Sequence, residues 1–261
     1  MRWRINSRFW PNGLSDDMIK ASEELAGQVA LVTGASRGIG AATAFSLAKR
    51  GAHVVITART AGGLEELEDR IHAAGGSATI APLDLTDGDS IARLASAMAE
   101  RWQHLDMLVL NAAMLGTLTP VGAIDGKEFN KLLTLNVVAQ QALIANFDPL
   151  LRRAAHGRLV ALSSGVARTP RAYWGAYAAS KAALEALVTS YGAEMRNISN
   201  VRTAILNPGA TRTQMRARAY PGEDPQSIKD PATVGEFVAG LMIDGFDSTD
   251  FHELPKVMEE A

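Results

Sequence analysis

A phenol and an ammonium stand four residues apart in Tyr177-Ala178-Ala179-Ser180-Lys181, at the start of an alanine-rich helical stretch. On a helix that spacing puts both side chains on one face, one turn apart. A free phenol, with a pKa of about 10, is a reluctant acid–base group at neutral pH. A fixed ammonium nearby stabilises the phenolate, and lowering the pKa by about two to three units corresponds to roughly 3–4 kcal/mol. The phenol would then pass a proton to and from an alcohol or carbonyl oxygen. Ser164 lies thirteen residues upstream, at the end of an expected strand. Its hydroxyl would hold the same oxygen and polarise it as negative charge develops. The Tyr–Lys spacing alone is common on plain surface helices, so it gains meaning only in company.

Thr33-Gly34-Ala35-Ser36-Arg37-Gly38-Ile39-Gly40 follows an expected strand and opens an expected helix. Gly34 permits a tight turn with positive φ. Gly38 would let the backbone approach a pyrophosphate, Gly40 would let helix and strand pack closely, and the helix N-terminus would offer free N–H groups to phosphate. Three glycines in a loop also serve purely structural turns; the strand before and the helix after favour a nucleotide. The second strand reads Val54-Val55-Ile56-Thr57-Ala58-Arg59-Thr60. NAD-preferring sites place an acid there for the ribose 2′-hydroxyl. This chain has no acid there, and Arg59 with Arg37 would instead present donor forks to a 2′-phosphate. Each arginine alone is more often a solvated surface residue. Both together favour NADP(H) over NAD(H).

Groups so far apart in the chain need a scaffold to gather them. Short apolar runs at 29–33, 53–57, 78–83, 107–110, 158–163 and 202–206 read as buried parallel strands. Between them lie period-3.6 stretches at 39–50, 61–74, 90–102, 127–153, 177–197 and 232–244. The alternation predicts an α/β fold, a single doubly wound parallel sheet of Rossmann type with helices on both faces. Ligands of such sheets sit outside the carboxyl ends of the strands, here the segments after Thr33, Leu110, Ser163 and Leu206.

The glycine turn, the Ser164-x12-Tyr177-x3-Lys181 spacing and their order resemble the short-chain dehydrogenase/reductase family across residues 25–244. The resemblance implies that Tyr177 is the acid–base residue, that Lys181 lowers its pKa and binds the nicotinamide ribose, and that Ser164 orients the substrate oxygen. Asn136, in Leu135-Asn136-Val137, matches the family's active-site asparagine, which supports a water connected to the lysine. A polar residue on an ordinary helix is its plainer reading. Further implied cofactor contacts are Asp84 and Leu85 against adenine, and Asn111 and Ala112 after the fourth strand. Pro208, Gly209, Thr211 and Thr213 belong to a Pro-Gly loop facing nicotinamide and phosphates. Two departures stand in the Asn-Asn-Ala-Gly segment, where Leu110 replaces the first Asn and Ala113 the Gly.

On the substrate side, Met114, Tyr173, Trp174 and Met215 are candidate contacts, the last within a lid over residues 211–231; core packing explains each as well. The Pro-Gly loop and Pro221-Gly222-Glu223-Asp224-Pro225 also resemble a less characterised bacterial subgroup of the family. The resemblance implies a small-molecule carbonyl or alcohol substrate and a homodimer or homotetramer formed through long helices. A catalytically silent dinucleotide-binding sensor or scaffold, and more remotely a methyltransferase on a related sheet, are the other readings weighed.

The chain as a whole sets outer limits. Its 261 residues suffice for one large domain, and the absence of cysteine excludes disulfides, thiolate metal sites and a cysteine nucleophile. No metal site is expected. A formal net charge of −2 with interspersed signs argues against nucleic acid as a partner, and no apolar run approaches the roughly 20 residues of a membrane span. The cytoplasm is the expected compartment. Residues 1–24 are expected to be a disordered extension, 25–246 the folded domain, and 247–261 a loosely packed acidic tail.

Overall fold

The computed structural model describes residues 23–255, so the expectations for residues 1–22 and 256–261 lie outside the described residues. Seven parallel strands form one sheet in the order β3-β2-β1-β4-β5-β6-β7. They are β1 (Val29–Thr33), β2 (His53–Thr57), β3 (Ser77–Ile80), β4 (Met107–Leu110), β5 (Arg158–Leu162), β6 (Arg202–Asn207) and β7 (Asp250–Glu253). The helices are α1 (Gly38–Lys49), α2 (Gly62–Ala73), α3 (Gly88–Trp102), α4 (Gly126–Leu133), α5 (Ala139–Leu151), α6 (Gly175–Met195), α7 (Gln214–Ala219) and α8 (Pro231–Asp244). A π-turn, Thr134–Val138, joins α4 to α5, so the long predicted helix is one segment with a wider turn inside it.

Strand residues alternate between two cores because successive side chains point to opposite faces. In β1, Ala30 and Val32 pack with α1, α2 and α8, whereas Val29 and Leu31 pack with α3, α5 and α6. Both faces of the sheet are therefore covered, which explains why the strands read as unbroken apolar runs. The in-register pairing Thr33↔Thr57, Val32↔Val109, Leu110↔Ala161 and Leu162↔Leu206 brings the strand ends to one edge. The segments that follow those ends therefore meet there, as the topology predicts. Among the described residues no helix is long and apolar enough to cross a membrane.

The expectation of a loose tail from residue 247 requires correction. Asp250–Glu253 is a seventh strand paired with β6 through Ala204↔Asp250 to Asn207↔Glu253. Its sequence, Asp-Phe-His-Glu, carries no apolar run, because an edge strand has neighbours on one side only and needs less burial.

Candidate active site

The turn from β1 into α1 is built around glycine for steric reasons. Gly34 has φ of 66°, and a Cβ there would lie 2.9 Å from the Ala112 Cα. A Cβ on Gly40 would lie 2.4 Å from the Gly34 carbonyl and 2.5 Å from Asn111 Nδ2. These two positions close helix onto strand. Gly38 differs, since a Cβ there would meet only Thr213, at 3.4 Å, so it faces the gap between this turn and the Pro208–Thr213 loop. Helix α1 has no side-chain cap and no acid in its first turn, which leaves its terminal N–H groups and dipole for an external anion. A dinucleotide pyrophosphate fits that cradle. Ser36 and Ile39 line the same turn, half-buried.

Asn111 ties β4 to β1: its Nδ2 donates to the carbonyls of Thr33 and Gly34, and its own amide donates to Thr33 Oγ1. Arg37, Arg59 and Thr60 are exposed at the ends of β1 and β2, and no acid stands among them. Asp84 follows β3, where hydrogen bonds from the Thr86 amide and hydroxyl hold its carboxyl below the usual range, with Arg59 a lesser contributor. Leu85 beside it is buried.

The π-turn places Asn136 in the interior. Its Oδ1 accepts from the Met114 amide at 2.9 Å, and its Nδ2 donates to the Met114 carbonyl and to Ser180 Oγ. Met114 thus meets Asn136 through its backbone. Gln140, one turn on, donates to the carbonyls of Ala112 and Leu135.

Tyr177 and Lys181 occupy the first two turns of α6, both buried. The Lys181 ammonium lies 6.0 Å from the Tyr177 ring centroid and donates to the Leu162 carbonyl at 2.6 Å. The Tyr177 hydroxyl faces Met215 Sδ at 3.9 Å, and the Trp174 ring meets Tyr177 edge-on at 6.1 Å. Ser164 lies two residues past the end of β5, at the N-cap of a 3-10 turn, Gly165–Ala167, half-buried and with its side chain not used as a cap. The expected depression of the Tyr177 pKa is absent in this arrangement. Burial pushes the phenol up, and burial also lowers Lys181 to about 8. The reason is geometric, for the ammonium is engaged by a backbone carbonyl beside the ring rather than by the phenolic oxygen.

The Pro-Gly loop is fastened by Lys229, buried, whose ammonium donates to the Pro208 and Ala210 carbonyls. Gly209 has φ of 63°, and a Cβ there would strike the Leu254 carbonyl at 2.6 Å. Thr211 Oγ1 turns back to Pro208, while Thr213 caps α7 by accepting from the Arg216 amide. Within residues 211–231, Glu223 takes two hydrogen bonds from Arg216, and Tyr220 packs against Trp174 outside that segment. Val166, Tyr177 and Ala178 form a small apolar cluster with Leu115, Trp174 and Met215. Tyr173 stands apart, 59% exposed with φ of 72°, a strained value for a bulky residue. Gln140, Ser180 and Lys229 escaped sequence reading. Gln140 follows Asn136 at helical spacing, a usable signal, whereas Lys229 offers none.

Residues 28–224 match the family model for short chain dehydrogenase. The oxidoreductase YciK of Escherichia coli is 36% identical over 220 residues, covering 83% of this chain and 86% of that one. Among solved structures, a short chain dehydrogenase from Pseudomonas syringae has a TM-score of 0.85 and 36% identity, covering 92% of this chain and 99% of its own. Another, from Escherichia coli and complexed with NADPH, has a TM-score of 0.82 and 35% identity, covering 88% and 98%.

Proposed function

This chain belongs to the short-chain dehydrogenase/reductase family of oxidoreductases, and from that premise we propose that it moves hydride between NADP(H) and a carbonyl or secondary alcohol carbon, with Tyr177 exchanging the proton. The observation that carries this reading is the buried Tyr177–Lys181 pair, one helical turn apart at the strand-end edge of the sheet that also bears the uncapped glycine turn.

NADPH, when bound, supplies the hydride. The likeness to a structure holding NADPH supports that cofactor. The cradle of Gly34, Ser36, Arg37, Gly38, Ile39 and Gly40 would hold the pyrophosphate. Arg37, Arg59 and Thr60 would take the 2′-phosphate, and Asp84 and Leu85 the adenine. Asn111 and Ala112 would border the adenosine half, and Pro208, Gly209, Thr211 and Thr213 the nicotinamide.

Ser164 donates a hydrogen bond to the substrate oxygen, Tyr177 gives that oxygen its proton, and Lys181 stabilises the phenolate left behind. Burial keeps the phenol protonated, the form that donates a proton when a carbonyl is reduced. Asn136 holds the Met114 backbone and Ser180, and so supports both walls of the site. Trp174 and Met215 offer an apolar surface beside Tyr177, suited to a ring-bearing or aliphatic carbonyl compound; Met114 and Tyr173 are further candidate contacts. The reading includes one catalytic domain over residues 25–246, a lid at 211–231, a homodimer or homotetramer, and a cytoplasmic setting that suits a chain without cysteine.

Tyr177→Phe tests the reading. Turnover of aromatic aldehydes and ketones should fall at least 1,000-fold, on the order expected for loss of an acid–base group and its alignment, while NADPH affinity measured by fluorescence stays within twofold. Retained turnover would remove Tyr177 from its role.

A further inference from the structure

Glu185 lies one turn beyond Lys181 on α6 and is buried, yet no step of the reaction uses it. Its two carboxylate oxygens reach the two ends of one short segment. Oε1 accepts from the Ser163 hydroxyl at 2.5 Å, and Oε2 accepts from Arg168 Nε at 2.8 Å. Between these anchors lie Ser164 and the 3-10 turn Gly165–Ala167. Leu162, whose carbonyl takes the Lys181 ammonium, directly precedes the first anchor. The second anchor is held from the opposite side as well, since the Arg168 guanidinium lies 3.4 Å over the Phe251 ring of β7. An ion pair with one half-exposed partner adds little net stability, so its worth lies in the geometry that it fixes. Charge-assisted hydrogen bonds at both oxygens impose a directional fit that apolar contacts would not.

We infer that Glu185 is a positioning residue of this site: it clasps both ends of the Ser163–Arg168 segment and thereby sets where the Ser164 hydroxyl meets the substrate oxygen. The inference rests on the role proposed above for Ser164. The same carboxylate favours the charged form of Lys181 against the effect of burial.

Glu185→Gln keeps an acceptor for Ser163 but turns an amide N–H toward the Arg168 donor, releasing one arm of the clasp. Arg168→Met releases the same arm from a half-exposed position that folding tolerates, and Arg168→Lys keeps a cation there. Glu185→Gln and Arg168→Met should each lower kcat for aromatic ketones at least tenfold, with NADPH affinity and thermal midpoint close to wild type. Arg168→Lys should recover at least half of the wild-type kcat. Independently of any substrate, hydrogen exchange at the amides of Ala167, Arg168 and Thr169, which close the 3-10 turn, should quicken at least tenfold in both clasp variants while β5 and α6 stay unchanged. Unaltered exchange overturns the inference, as does a loss of NADPH affinity that matches the loss of kcat. If the wild type reduces no carbonyl compound, the proposed function fails, and the exchange measurement still decides the clasp.

Discussion

Lys181 shows how a single buried group links the chemistry to stability. Burial lowers its pKa from 10.5 to about 8, with Glu185 acting in the other direction. The unfolded chain regains the ordinary value, so between pH 8 and 10.5 it binds a proton that the folded protein has released. Folded stability therefore rises with pH through that window, by up to about 3 kcal/mol from this group, because burying the charge is costly below it. The stability of the wild type relative to Lys181→Met should accordingly rise from pH 8 to 10, read from denaturant midpoints at each pH; a difference that stays constant would mean that the buried group keeps its proton. At the ends of β1 and β2, Arg37 and Arg59 are exposed, and the segment after β2 carries no acid of its own. The Arg37→Ala, Arg59→Ala double variant should weaken NADPH binding about 100-fold or more, two charge-assisted contacts at about 1.5–3 kcal/mol each, and leave NADH within about threefold. Equal losses for both cofactors would defeat the phosphate assignment. The placement of both arginines at strand ends was legible in the sequence because it depends on position after a strand. Glu185 was not, because its role depends on which residues a helix faces across 22 residues of chain.

At the scale of elements, the π-turn between α4 and α5 stands out. A wider turn frees helical backbone and moves a side chain inward, and such turns gather at functional sites. Here it delivers Asn136 to three hydrogen bonds in the interior. Asn136→Ala would leave the Met114 backbone and Ser180 short of partners at the cost of about 2–4 kcal/mol, measurable by urea unfolding. A loss below about 0.5 kcal/mol would show that water replaces the amide without penalty. Residues 211–231, proposed as a lid, are the second such element. Its neck is closed by the Thr211↔Lys229 bridge and the Arg212–Asp230 ion pair, and its interior by Arg216 with Glu223 and Tyr220. Arg216→Met should raise KM for carbonyl compounds about tenfold through a looser lid, with NADPH affinity nearly unaltered, in steady-state and binding measurements. The family resemblance implied a lid over residues 211–231, whereas the short helix α7 and the Lys229 clasp within that segment came only with the fold.

Over the whole molecule, the last strand connects the far edge of the sheet to the Pro208–Thr213 loop. Glu253 Oε1 accepts from Asn207 Nδ2, whose Oδ1 in turn accepts from the Gly209 amide, and the Leu254 amide donates to the Asn207 carbonyl. Ending the chain after Asp247 removes this buttress and uncovers β6. The thermal midpoint should fall by about 5 °C or more, and NADPH should bind more weakly as the Pro208–Thr213 loop is released; calorimetry and fluorescence titration check the two effects. The chain alone determined the parallel sheet, the limits of β1, β2 and β4, the outer bounds of the six helical stretches it predicted to within about two residues, and the Tyr177–Lys181 pairing. Those features rest on local physics: apolar runs that must be buried on both faces, helical spacing and glycine turns. Tertiary structure alone decided the seventh strand, the partner of the Lys181 ammonium, and the clasp of Ser163 and Arg168 by Glu185. The physical reason is the same in each case: an edge strand, a buried cation and a buried carboxylate take their identity from neighbours distant in the chain, and only packing supplies those neighbours.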